Sequence, residues 1–156
     1  MNPIIAKLKD ANACERFKSN ALKKGEHELA KLATIRMVQF RAEEYGAEQE
    51  VERHAIEAVC AYEVAQSVLK GKKTRANRTW KMIKDHGILN AVERAVNRND
   101  VTQGYQALEQ AGLEQFTFEA VILKFPEFFS PEAIEKSEQR VSVDATQSSI
   151  LENNHT

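Results

Sequence analysis

Seven cations stand between residues 70 and 84, namely Lys70, Lys72, Lys73, Arg75, Arg78, Lys81 and Lys84, and the first carboxylate after them is Asp85. Thr74, Asn77 and Thr79 add hydrogen-bonding groups to the same stretch, and Trp80 is the single indole of the chain. Phosphate oxygens are held by this mixture of guanidinium forks, ammonium groups and short polar side chains. An indole adds a flat π face on which a base can stack. The segment 70–84 therefore reads as a binding patch for DNA, RNA or another polyanion. Lys72, Lys73, Arg75, Arg78, Lys81, Lys84 and Trp80 are its expected contact residues. A plainer reading stands beside it. Lysines gather where a helix ends because they favour its dipole, and a lone Trp is commonly a core anchor.

A second concentration of one residue type lies further on. Phe116, Phe118, Phe125, Phe128 and Phe129 fall within one short stretch, more rings than one face of a short helix needs. Most are expected to be core. An exposed surplus at Phe125, Phe128 and Phe129 would mark a surface for a protein partner or for a second copy of the chain. The rival functional reading is accordingly a helical interaction subunit of a larger assembly, using this aromatic segment 116–129 or an acidic surface. Glu43, Glu44, Glu48, Glu50, Glu52, Glu57 and Glu63 supply that acidic surface, whose plainest role is to keep a helical face in water.

Catalytic groups are harder to find. His54 has Glu50 four residues before it and Glu57 three after, so one helical face carries all three. A di-metal carboxylate bundle needs a second copy of Glu-x-x-His on another helix, and the sequence has none. Cys14 and Cys60 sit among helix formers without Cys-x-x-Cys spacing, which fits free thiols in a reducing compartment. There is no glycine-rich phosphate loop, nucleophile elbow or zinc signature. No cofactor, metal or catalytic machinery is expected. The remaining enzymatic possibility is an anionic substrate held by Arg75, Arg78 and His86 together.

The elements that would position these residues are helical. With 42% hydrophobic and 29% charged residues the 156-residue chain has the composition of a globular domain, and its net charge of −1 sets up no global attraction to polyanions. Leu29, Leu32, Ile35, Val38, Ala42 and Tyr45, flanked by Ala30, Ala33, Met37 and Phe40, predict a helix over 26–45. Val51, Ala55, Ala58, Tyr62, Ala65 and Leu69 predict another over 48–70, with Gly46 and Gly71 as stops. The short link between them predicts an antiparallel hairpin.

Shorter helices follow: 77–85, one starting at an Asn90/Glu93 capping box, one capped by Asp100 or Thr102, one capped by Thr117, and one opening at Ser130-Pro131-Glu132 and fading near Arg140. A helix over 12–23 leans on the hairpin. The pair 77–85 and 90–97 has the size of a helix-turn-helix, but Glu93 stands where that motif needs a buried aliphatic residue. The expected fold is thus all-α, a long antiparallel helical hairpin packed with several short helices. One domain covers 1–141, and a polar, flexible tail covers 142–156. No stretch approaches the ~20 apolar residues of a membrane span, so a soluble, cytoplasmic protein with no membrane partner is expected.

Overall fold

A computed structural model describes the backbone of residues 1–98 and 102–153, and the side chains of 1–98 and 104–142. Among the described residues the fold is all-α, with no strand. The helices are α1 (Pro3–Ala6), α2 (Ala11–Lys23), α3 (His27–Tyr45), α4 (Glu50–Lys70), α5 (Asn77–His86), α6 (Ile88–Asn97), α7 (Thr102–Gln110), α8 (Phe118–Lys124) and α9 (Pro131–Asn153), with 3-10 turns at Glu114–Phe116 and Pro126–Phe128. No helix is long and apolar enough to cross a membrane among the described residues.

Local chemistry sets most boundaries. Asp10 caps α2, its Oδ1 accepting from the Ala13 amide at 2.7 Å, and Thr117 caps α8 by accepting from Ala120 at 3.1 Å. Ser130 caps α9 through Ala133, with Pro131 at the first helical position. Gly46 and Gly71 end α3 and α4 in the left-handed region, at φ 80° and 67°, where a side chain would be strained.

Helix α4 is the hub. Val51, Ala55, Ile56, Ala58, Val59, Cys60, Ala61, Val64 and Ala65 are all buried, which leaves little of its middle facing water. Two apolar clusters divide on it. Met37, Val38 and Ala42 of α3 meet Ile56, Val59 and Cys60, together with Cys14, Leu108, Leu113 and Phe116. Val51, Ala55 and Ala58 meet Val92, Val96, Val121, Ile122, Phe129 and Ala133. Small residues on α4 let several helices approach its axis, and burial of this apolar surface is the main stabilising contribution.

Three details differ from the sequence expectation. Asn90 does not begin α6. It lies inside the helix, its side-chain amide donating to the His86 carbonyl at 3.0 Å, and Gly87 alone, at φ 86° and ψ 164°, separates α5 from α6. Glu93 is then spared from a capping box and instead accepts from the Ser130 amide, tying α6 to the start of α9. Tyr45, placed by periodicity on the apolar face of α3, is 47% exposed at that helix's end. Finally, α9 runs to Asn153, past the limit near Arg140. Side chains of the expected tail from 143 onward, and Asp100 as a candidate cap, lie outside the described residues.

Candidate anion-binding pocket

The loop from α4 to α5 is built around one carboxylate. After Gly71 the chain turns back, and the Ser67 hydroxyl donates to the Glu63 carbonyl at 2.7 Å while accepting from the Thr74 amide at 2.8 Å. Glu63 Oε2 accepts from the Ala76 amide at 2.8 Å and from the Trp80 indole N–H at 3.0 Å. Ala76 has no side chain with which to cap α5. Glu63 therefore serves as that cap from a neighbouring helix, and its negative charge suits the helix N-terminus.

This scaffold fixes Trp80. Its ring stacks on Tyr45 at 5.7 Å with 27° between planes, and the Arg75 guanidinium lies 5.9 Å from its centroid. The indole is thus held at one edge by Glu63 and across one face by Tyr45.

Beside the loop opens a pocket of about 440 Å³. Its floor comprises buried Ala58, Val59, Leu108, Phe116, Thr117 and Glu119, with half-buried Tyr62, Met82, Tyr105 and Phe118 on the walls. Its rim is exposed and cationic: Lys70 from the last turn of α4, Arg75 from the loop, Arg78 from the first turn of α5, and Arg98 from the end of α6. None of these four forms an ion pair among the described residues. Thr74, Asn77 and Thr79 complete the α5 side.

Arg98 is set in place by a buried charge pair. Glu119 is 2% exposed, and its Oε1 accepts from Arg140 Nη1 at 2.8 Å. Arg140 Nη2 donates in turn to the carbonyls of Val96 at 2.6 Å and Arg98 at 3.0 Å, while Lys136 donates to the Asn97 carbonyl at 2.9 Å. Two α9 cations thereby satisfy the open C-terminal carbonyls of α6 and hold the backbone of Arg98 at the pocket mouth.

The structure divides the expected contact residues. Arg75 and Arg78 line the pocket; Lys72, Lys73, Lys81 and Lys84 are exposed outside it, and Trp80 sits in the Glu63–Tyr45 cradle rather than on its wall. His86 belongs to a separate polar hollow with Asn90, Glu93, Arg94 and Asn97, so Arg75, Arg78 and His86 do not surround one ligand. Of the aromatic segment, Phe129 is buried and Phe125 lies edge-on to His54 at 5.2 Å, leaving Phe128 as its exposed ring. His54 Nε2 stands 3.7 Å from Glu50, and Nδ1 stands 4.0 Å from Glu57. Burial, with Lys124 nearby, holds its pKa below the ordinary histidine value. Burial pushes the Cys60 thiol up to about 12, far from the range of a nucleophilic thiolate.

Glu63, Arg98 and Glu119 were not distinguished as site residues by their local sequence. Glu63 was one acid among many. Arg98 has no patterned neighbours. Glu119, a lone carboxylate inside the run FEAVIL, carried the one available hint, since an acid there requires a partner to be buried. No protein-family profile matches the chain, and no curated protein or solved structure matches it.

Proposed function

We propose that this chain is a non-catalytic helical protein that binds single-stranded nucleic acid, or a similar polyanion, through the pocket at the α4–α5 loop and the lysines around it. The observation carrying the reading is the convergence of Lys70, Arg75, Arg78 and Arg98, drawn from three helices and a loop, on the mouth of one pocket without ion-pair partners among the described residues. Four cations so placed repel one another, and an anion between them removes that repulsion. Outside the mouth, Lys72, Lys73, Lys81 and Lys84 extend the positive surface, as a strand longer than one nucleotide requires. Half-buried Tyr62 and Tyr105 supply ring surface within the pocket.

The test is fluorescence anisotropy with labelled single-stranded RNA and DNA and a duplex control, across a salt series. Each phosphate contact to a single strand contributes about −0.7 to the slope of log K against log salt. The four rim cations alone therefore give a slope of about −3, or roughly fifty-fold weaker binding between about 50 and 200 mM salt. Replacing Arg75, Arg78 and Arg98 together by Ala should flatten the slope by about 2 and leave helicity intact. Unchanged binding by that variant, or no binding by the native chain at low salt, refutes the proposal.

A further inference from the structure

The pocket holds a feature that phosphate binding does not use. Glu119 is one of the residues lining it, 2% exposed, below the rim cations. Its ion pair with Arg140 neutralises it and helps to place Arg98, but a carboxylate makes no contact with phosphate itself. One Oε1 bond to Arg140 leaves lone pairs on the carboxylate unused. The cleft is thus polarised, with donors at the mouth, an acceptor at the floor and aromatic side chains between. At about 440 Å³ it has the size of a small-molecule site and takes one nucleotide, with the rest of a strand left to the lysines outside.

We infer that the pocket is a site for one nucleotide, with its phosphate held at the mouth by Arg75, Arg78 and Arg98 and its base edge donating hydrogen bonds to Glu119. This rests on the reading of the site as a nucleic-acid surface and adds a base preference to it. Guanine is the base that fits. Its N1–H and exocyclic amine form two adjacent donors, the fork that a carboxylate accepts in paired fashion from arginine. Adenine and cytosine place one amino group next to a ring acceptor, and uracil flanks its single N–H with two carbonyls. Those acceptors face the carboxylate unfavourably. Tyr62 and Tyr105 flank the space the base would take, where ring stacking is tolerant of base identity, so selection falls to Glu119.

The experiment titrates the full chain with GMP, IMP, AMP, CMP, UMP and inorganic phosphate by calorimetry. IMP differs from GMP by the exocyclic amine alone and probes the carboxylate without altering the protein. GMP should bind about ten-fold tighter than IMP, and tighter still than UMP, because one lost partner leaves a buried acceptor unpaired. Glu119→Gln should bring GMP and UMP to within about two-fold of each other. A thermal melt confirms that the variant folds, and the GMP/IMP ratio on the native chain decides the matter should it not. Equal affinity for all five nucleotides, or affinity for phosphate matching that for GMP, overturns the base contact. Binding of a single-stranded polymer with no binding of any mononucleotide overturns this inference and leaves the nucleic-acid reading standing. Failure of both removes the two together.

Discussion

Replacing Glu63 by Ala should unsettle both the fold and the pocket, because one carboxylate oxygen joins α4 to the start of α5. The substitution strands the amide of Ala76, which is 8% exposed, and the indole N–H of Trp80. Hydrogen bonds to a charged acceptor contribute about 1.5–3 kcal/mol each. Glu63 is half-buried, so water recovers part of that, and a cost of about 2–3 kcal/mol for the pair is expected. For a domain of this size each kcal/mol lowers Tm by about 2–4 °C, giving a shift of roughly 5–10 °C. Glu63→Gln keeps an acceptor and loses only charge assistance, so about 1 kcal/mol is expected.

Melting followed by far-UV circular dichroism measures the stability, and the sole Trp reports its own surroundings through its emission, which should move to longer wavelength in the Ala variant. A double-mutant cycle isolates the indole bond: in the Trp80→Phe background, Glu63→Ala should cost about 1 kcal/mol less than in the native chain. Because Thr74, Arg75 and Arg78 are positioned by the same loop, anionic ligands should also bind the Ala variant more weakly. A loss of under about 0.5 kcal/mol with unshifted emission would show that Glu63 is only another surface acid and does not hold the α4–α5 loop.

Acid should expose His54. Its pKa is lowered by burial first and by Lys124 second, against the opposing pull of Glu50. As pH falls through the ordinary value of 6.5, the unfolded chain gains a proton that the folded imidazole still refuses, so stability drops until the folded group titrates as well. Urea midpoints taken from about pH 7.5 to about pH 5.5 should therefore fall more steeply in the native chain than in His54→Gln. Parallel slopes would contradict this. Glu57, raised by burial, acts with the opposite sign above its ordinary 4.5, and because both proteins carry it the comparison with His54→Gln removes its effect. The two thiols give a separate check on the core. Cys14 is 0% and Cys60 4% exposed, and burial raises the pKa of both. A chromogenic disulfide reagent at about pH 8 should label neither in the folded protein and both in urea. Rapid labelling of the folded chain would mean that the α3–α4 core opens readily.

The all-α class and most helix limits were legible in the residues alone, because those depend on information a few residues long. The apolar spacing in 29–45 and 51–69 is a helical period, Gly46 and Gly71 favour left-handed stops, and Thr117 and Ser130 reach amides three residues away. The same locality misled at Asn90 and Glu93. Their spacing matches a capping box, yet Glu93 has a distant competitor in the Ser130 amide, and no local rule can weigh it. The basic run was visible as charge. Its partition into Lys70, Arg75 and Arg78 at a pocket and Lys72, Lys73, Lys81 and Lys84 outside it was not, since that depends on which way α5 leaves the Glu63 carboxylate.

Tertiary structure alone decided the rest. Arg98 reaches the rim because Arg140, 42 residues later, holds its carbonyl, and Glu119 becomes a buried acceptor because the same arginine neutralises it. Helix periodicity ranks residues by face; it carries no record of which distant charge will meet them. Among interchangeable-looking acids and bases on a near-neutral chain, only the packing of α4 against its neighbours selected the few that share one space.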